Sequence, residues 1–242
     1  MSITFVVILS VVAFLAGVLK SGFAVGAGIF LTPIITLIMG PKQAVAVVAV
    51  MMLCTDCLAI YQYWKQWNTR DIFYLAVPCI LGAVAGAMLL DWFSPAMAKR
   101  AIGIIGFIYI ASELFKFFRQ KKVQPPTAFR SISIGFIGGI TASLANSGSV
   151  FISTYVAGRL SKQMFVGTLV VVFVGINITK VVMFSALGIL QQRLWLVSLS
   201  LLPFIIIGAM LGKWVNNRID EKQFKQWIFL LIGIACLKLL IS

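Results

Sequence analysis

The sequence predicts an all-α integral membrane protein, and three observations lead to that fold class. Of the 242 residues, 61% are hydrophobic and only 11% are charged, and the mean hydropathy is +1.06. Soluble domains carry about 25% charged residues, so a water-soluble enzyme of this size would lack polar surface. The low charge and the long apolar runs also exclude a disordered chain. Several of these runs reach the roughly 20 residues that a membrane-spanning helix needs.

The charged and polar stretches separate a series of apolar segments. Segments 28–40 and 148–159 are too short for a comfortable crossing, and each follows a break rich in Gly or Ser. Such interrupted segments are typical of broken or re-entrant helices. No basic stretch or evident cleavage site accompanies segment 3–20, so we expect a retained helix there and not a signal peptide. The predicted segments are 3–20, 28–40, 43–64, 72–92, 98–118, 130–145, 148–159, 163–185, 192–214 and 223–241.

The distribution of positive charge predicts the orientation of the chain. There are 20 Lys and Arg residues against 6 Asp and Glu, a net charge of +14. These basic residues are scattered over many loops, and none of the stretches resembles a nucleic-acid-binding motif. With the polar stretch 117–130 placed in the cytoplasm, 13 basic residues fall on that side and 5 on the other. The positive-inside rule therefore places both termini outside, in a multi-pass protein of the cell (inner) membrane.

Catalytic and metal chemistry find little support in the composition. The chain has no His, which removes His-based metal sites, His proton relays and Ser-His-Asp catalysis together. Its four Cys residues lie inside apolar segments, where we expect reduced side chains that fill space. The sequence therefore predicts no catalytic residues, no metal site and no cofactor.

The chain divides into two halves that resemble each other. We predict a first transmembrane repeat at 1–118, a cytoplasmic linker at 119–129 and a second transmembrane repeat at 130–242. Lys42-Gln43 matches Lys162-Gln163, and the run Gly86-Ala87-Met88-Leu89 matches Gly208-Ala209-Met210-Leu211. The charge assignment puts Lys42 outside and Lys162 inside, so the predicted repeats are inverted, each with about four transmembrane helices and one broken or re-entrant segment. Such repeats are common in secondary transporters, although a duplicated bundle that transports nothing is the alternative.

The first break carries a family resemblance. It runs from Gly17 to Pro33 as a Gly-rich turn, then a short helix with a Pro near its start, before a long apolar helix. This pattern resembles the TauE/SafE family of sulfite exporters, and the similarity covers essentially the whole chain, including the two halves and the basic linker. The resemblance implies export of sulfite, sulfoacetate or a related small anion, coupled to an ion gradient. Gly26-Ala27-Gly28 replaces the usual run of three glycines, and the second break, 142–149, is richer in hydroxyls, which leaves the anion open.

We predict that the anion site lies between the two breaks. An anion within the membrane needs donors in place of water, and broken helices supply free N–H groups and the positive end of a helix dipole. An intramembrane lysine such as Lys180 is a functional candidate by default, with snorkelling to the outer interface as the alternative. The glycines could instead serve helix packing, the serines could bond backbone carbonyls, and Lys20 could be a cytoplasmic anchor. The candidate substrate-binding residues are Lys20, Gly22, Gly26, Gly28, Ser143, Asn146, Ser147, Gly148, Asn177 and Lys180.

Asp56 is the one carboxylate placed near the middle of a predicted span. An acidic side chain at that depth needs a cationic partner or a proton. We therefore predict that Asp56 takes part in proton coupling or pairs with a lysine.

The sequence thus predicts a secondary transporter, an exporter of a small anion such as sulfite or an organosulfonate, working by alternating access. The predicted partners are that anion, a coupling ion such as the proton, and the lipid bilayer, with no nucleic acid. The oligomeric state is left open. The alternatives are a cation or metal carrier, a membrane protein that transports nothing, and an enzyme with a Ser147–Lys180 dyad.

Overall fold

The computed structural model describes residues 3–23, 27–118, 127–156, 160–216 and 233–241. This part of the chain consists of α-helices joined by short turns and contains no strand. The helices are α1 (Ile3–Phe23), α2 (Ala27–Thr36), α3 (Pro41–Gln62), α4 (Thr69–Trp92), α5 (Pro95–Phe118), α6 (Ala128–Ala145), α7 (Ser149–Val156), α8 (Lys162–Ala186), α9 (Gln192–Ser200), α10 (Leu202–Asn216) and α11 (233–241).

The helices follow the apolar segments of the sequence, with one division that hydropathy did not reveal. The predicted segment 192–214 is two helices, α9 and α10, which meet at Leu201. Pro203 lies in the first turn after this junction and has no N–H to donate to the carbonyl four residues earlier, so the ladder of hydrogen bonds is interrupted there. Of the predicted segment 223–241, only α11 lies within the described residues.

Length and composition identify a multi-pass membrane protein. Among the described residues, Pro41–Gln62, Thr69–Trp92, Gln163–Ala186 and Gln192–Leu211 are long and apolar enough to cross a membrane. By contrast, α2 and α7 have 10 and 8 residues. At 1.5 Å per residue they extend about 15 Å and 12 Å, against a hydrocarbon core of about 30 Å. Neither helix can cross the membrane by itself.

Polar residues at the ends of the apolar runs fix where three long helices begin. The side chains of Asn68, Thr127 and Ser161 each accept a hydrogen bond from the backbone N–H three residues later, at the start of α4, α6 and α8. Each bond satisfies a donor that the first helical turn would leave unpaired. The loops that carry these caps therefore define the helix boundaries.

α3 lies at the centre of the fold and packs against α8 and α2. Its residues 44–51 are at most 1% exposed on every side of the helix. A helix that is apolar all round is a buried helix, and its interior position requires partners for any charged side chain that it carries. Asp56 lies one to two turns beyond this apolar stretch, on the same helix.

Close backbone contact joins α4 to α6. A Cβ atom on Gly82 would lie 2.1 Å from the carbonyl oxygen of Phe136, and a Cβ on Gly139 would lie 2.2 Å from that of Cys79. Neither position could hold a side chain unless the backbones separated. The small residues bring the two helices together as in other membrane helix pairs.

A second contact of the same kind joins α1 to α10. A Cβ on Gly208 would lie 2.1 Å from the carbonyl oxygen of Phe14, and a Cβ on Gly17 would lie 2.1 Å from that of Ile205. Each contact thus joins a helix from residues 1–118 to a helix from residues 130–242. We call these two contacts the glycine seams.

Candidate functional site

Lys180 lies within the fold and not at its surface. The side chain is 1% exposed, and its Nζ donates hydrogen bonds to Oδ1 of Asn146 and, at 3.1 Å, to Oδ1 of Asn177. Two amide oxygens therefore take the place of water around the ammonium group. The snorkelling alternative does not describe this conformation, because the ammonium group points into the fold.

Asn177 connects this lysine to Asp56. The two residues of α8 are three positions apart, which places both on one face of the helix. Asn177 uses its Oδ1 to accept from Lys180, and its Nδ2 donates to Oδ2 of Asp56 at 2.7 Å. Asp56 is fully buried on α3. A single amide thus bridges a buried carboxylate and a buried ammonium group.

Asn146 is the corresponding link at the second break. Its Nδ2 donates to Oγ1 of Thr32 at 3.0 Å and to the carbonyl oxygen of Val45 at 3.2 Å. Since Thr32 and Val45 lie on α2 and α3, the side chain of Asn146 joins three helices. With its NH2 group held there, its amide oxygen faces Lys180.

The backbone of Asn146 explains how its side chain reaches that position. The residue ends α6 in the left-handed conformation, with φ 53° and ψ 31°. Asn tolerates this region better than most residues. The N–H of Asn146 bonds the carbonyl of Ala142, and the N–H of Ser147 bonds that of Thr141. The left-handed residue and its bond to the carbonyl four residues earlier form an αL-type helix end, which stops α6 before α7 begins.

The first break meets the second at Gly28. A Cβ on Gly28 would lie 2.8 Å from both the Cβ and the carbonyl oxygen of Asn146. Close approach of the two backbones therefore requires glycine here. Gly28 lies in the first turn of α2, where backbone N–H groups have no partner within the helix. The structure brings together Gly28, Asn146, Asn177, Lys180 and Asp56.

The other predicted residues of the second break bond the backbone in this conformation. Ser143 donates to the carbonyl of Ala83 on α4 at 2.7 Å, and Ser147 donates to the carbonyl of Thr141 at 3.0 Å. Gly148 packs α7 on α6, since a Cβ there would lie 2.5 Å from the carbonyl oxygen of Gly138. An anion that used these two hydroxyls would have to compete with carbonyl oxygens.

The remaining predictions fall where the structure describes little or nothing. Lys20 and Gly22 lie near the end of α1, but the side chain of Lys20 and the surroundings of Gly22 are outside the described part of the chain. Gly26 lies outside the described residues altogether.

Thr32 belongs to the cluster and was missed by the sequence reasoning. It is fully buried, accepts a hydrogen bond from Asn146 and donates one to the carbonyl of Gly28 at 2.7 Å. Thr36, one turn later, repeats the bond by donating to the carbonyl of Thr32. Two threonines spaced four apart in a short apolar helix after a break could have indicated a polar face.

The cluster differs from the enzymatic and metal alternatives in its hydrogen bonds. Ser147 donates to a backbone carbonyl and Lys180 donates to amide oxygens, so these hydrogen bonds do not join the two side chains as a dyad. Within the described residues, no three side chains of His, Cys, Asp or Glu form a group that could hold a metal ion. What the cluster offers is a buried ammonium group at the meeting point of two broken helices.

Comparison with known proteins assigns the family. A sequence model described as "Sulfite exporter TauE/SafE" matches residues 9–239 of the 242-residue chain. No curated protein and no solved structure matches the chain. The match spans both halves and both breaks, and it confirms the resemblance found in the first break. The chain therefore belongs to the sulfite exporter TauE/SafE family.

Proposed function

We propose that this protein is a secondary transporter that exports a small anion, such as sulfite or an organosulfonate, and binds it between the two breaks. Membership of the family implies a sulfite or anion exporter. The observation that carries the binding site is Lys180, an ammonium group 1% exposed beside Gly28 and Asn146. A buried charge is costly, so its retention in an apolar helix points to function.

The surroundings of Lys180 suit an anion. α2 begins at Ala27 and α7 at Ser149, and each N-terminus carries roughly half a positive charge. Gly28 leaves the backbone of α2 open to close approach. In this proposal Lys180, Asn146, Asn177 and Gly28 form the site, whereas Ser143, Ser147 and Gly148 hold the second break in shape. A contribution of Lys20, Gly22 and Gly26 to the site is proposed from the sequence alone.

We infer further that the halves 1–118 and 130–242 are inverted repeats joined by a cytoplasmic linker at 119–129. The glycine seams support this inference, because α4 meets α6 as α10 meets α1. The short helices α2 and α7 are then equivalent re-entrant segments, and alternating access exposes the site between them to either side. Both termini lie outside the cell membrane in this arrangement, as the positive-inside rule favours.

Asp56 is the proposed coupling residue. Its bond to Asn177 connects it to Lys180, so a change in its charge alters the potential at the anion site. If a proton on Asp56 accompanies each anion, Asp56→Asn changes the pH dependence of transport in a protein that still folds. An unchanged pH profile removes Asp56 from the coupling mechanism.

Sulfite efflux from proteoliposomes tests the proposal. Lys180→Gln should abolish efflux because it removes the buried charge. Lys42→Gln is the matched control: it removes the same charge from a residue whose side chain is 28% exposed and which pairs with Asp91. Size-exclusion chromatography and thermal unfolding establish that both variants fold. Efflux that persists in a folded Lys180→Gln protein contradicts the proposed site, and flux of divalent cations in place of sulfite favours the cation carrier.

A further inference from the structure

We propose that Asp56 is a specificity residue of the anion site and disfavours a second negative charge on the ligand. This inference rests on the proposed function. It assigns Asp56 a role in specificity that is separate from proton coupling.

The inference begins from the charges that the fold encloses. Among the described side chains, the buried charged residues are Asp56, Asp71 and Lys180. Asp71 lies in the first turn of α4. The backbone N–H of the residue that caps this helix, Asn68, donates to Oγ1 of Thr168 on α8. Thr168 and Lys180 are 12 residues apart, or about 18 Å along a helix, so Asp71 is remote from the site.

Of these three residues, Asp56 and Lys180 belong to the cluster. The negative charge of a ligand is attracted by Lys180 and repelled by Asp56, and both effects grow with the charge of the ligand. Removal of the negative charge of Asp56 therefore favours a dianion relative to a monoanion.

Asn177 keeps the carboxylate close enough to matter. The hydrogen bonds on either side of its amide are 2.7 Å to Asp56 and 3.1 Å to Lys180. Because the O and N atoms of an amide are about 2.3 Å apart, the carboxylate oxygen lies within about 8 Å of the ammonium nitrogen. An anion in contact with Lys180 therefore lies close enough to Asp56 to be repelled by its negative charge.

Repulsion by Asp56 grows with the charge of the ligand. For charges about 10 Å apart in a protein interior, each unit of ligand charge weakens binding on the order of tenfold. For a dianion this factor applies twice. Asp56 therefore shifts the ratio of binding affinities toward the monoanion by one such factor. Methanesulfonate and hydrogen sulfite are monoanions, whereas sulfate and sulfoacetate are dianions.

Equilibrium binding of methanesulfonate and sulfate to the purified full-length protein tests the inference at constant pH and ionic strength. Both ligands keep their charge near neutral pH, so ligand titration does not enter. Asp56→Asn preserves an acceptor for Asn177 and should improve sulfate relative to methanesulfonate on the order of tenfold. Asp91→Asn, which neutralises a half-exposed carboxylate, should leave the ratio unchanged.

The possible outcomes distinguish the charge inference from the proposed anion site. If Asp56→Asn leaves the ratio of the two affinities unaltered, the charge inference is wrong while the anion site stands. If neither anion binds the unmodified protein, the proposed function and this inference fail together. Asp56→Ser, which is smaller and neutral, serves as the second variant if Asp56→Asn does not fold, and the same shift in ratio is expected of it.

Discussion

Replacement of Gly28 by alanine tests the contact between the two breaks most directly. The added Cβ would lie 2.8 Å from the Cβ and from the carbonyl oxygen of Asn146. Favourable carbon–carbon contacts lie at about 3.5–4.0 Å, so the breaks must separate by roughly 0.5–1 Å. Neither contacting atom belongs to the flexible end of a side chain, so the movement displaces the backbone of Asn146 relative to Thr32 and Lys180.

The structure sets the size of the expected effect. Overpacking of a close contact costs typically about 1–3 kcal/mol. If the binding-competent conformation carries this cost, the affinity for the anion falls by roughly 5- to 150-fold. The displacement stretches the hydrogen bonds that join Asn146 to Thr32 and to Lys180.

Gly175→Ala is the matched control for Gly28→Ala. Gly175 lies on α8, five residues before Lys180, and the nearest side chain that its Cβ would meet is Ile80 at 3.9 Å. Alanine there adds the same methyl group without a clash and favours the helix by up to about 1 kcal/mol. Sulfite binding by isothermal titration calorimetry should therefore be normal in Gly175→Ala and weak in Gly28→Ala. Equal affinities in the two folded variants would refute the argument that close approach of the breaks forms the site.

Two further predictions follow from the cluster and from the charge pattern. Thr32→Val removes the hydroxyl that accepts from Asn146 and should weaken anion binding about 5- to 20-fold, since an unsatisfied buried group costs about 1–2 kcal/mol. Thr32→Ser keeps the hydroxyl and should bind the anion nearly as the unmodified protein does. A normal affinity in Thr32→Val would exclude Thr32 from the site. In a background without native cysteines, single cysteines at Gln124 and Ser2 should react with an impermeant thiol reagent from opposite sides of the membrane, and labelling of both from one side would contradict the predicted topology.

The central residues of the cluster could be predicted because membrane interiors tolerate few polar groups. Lys180 and Asp56 stand out in apolar segments, and each requires a partner. Gly28 and Asn146 were candidates because each lies at one of the two breaks. The structure brings these four residues together, whereas the sequence left the partner of Asp56 open.

The bridging contacts could not be predicted from composition and spacing. Asn177 was chosen for its polarity beside Lys180, but its connection to Asp56 depends on how α3 and α8 pack. Thr32 was overlooked because a hydroxyl in an apolar helix can bond the carbonyl one turn earlier, as Thr32 itself does to Gly28. Only tertiary packing reveals that its oxygen also accepts from Asn146.

In the proposed inverted repeat, the glycine seams indicate a register that differs by one helical turn from the sequence match. The sequence match pairs Gly208 with Gly86, at an offset of 122, whereas the packing makes Gly208 the counterpart of Gly82, at an offset of 126. Their partners, Phe14 and Phe136, keep the offset of 122. Four residues are close to one helical turn, so Gly82 and Gly86 lie on the same face and either can satisfy a match based on identity. The second half therefore contains four additional residues between the helix that carries Phe136 and the helix that carries Gly208, and the seam stays intact because this difference is nearly a whole turn.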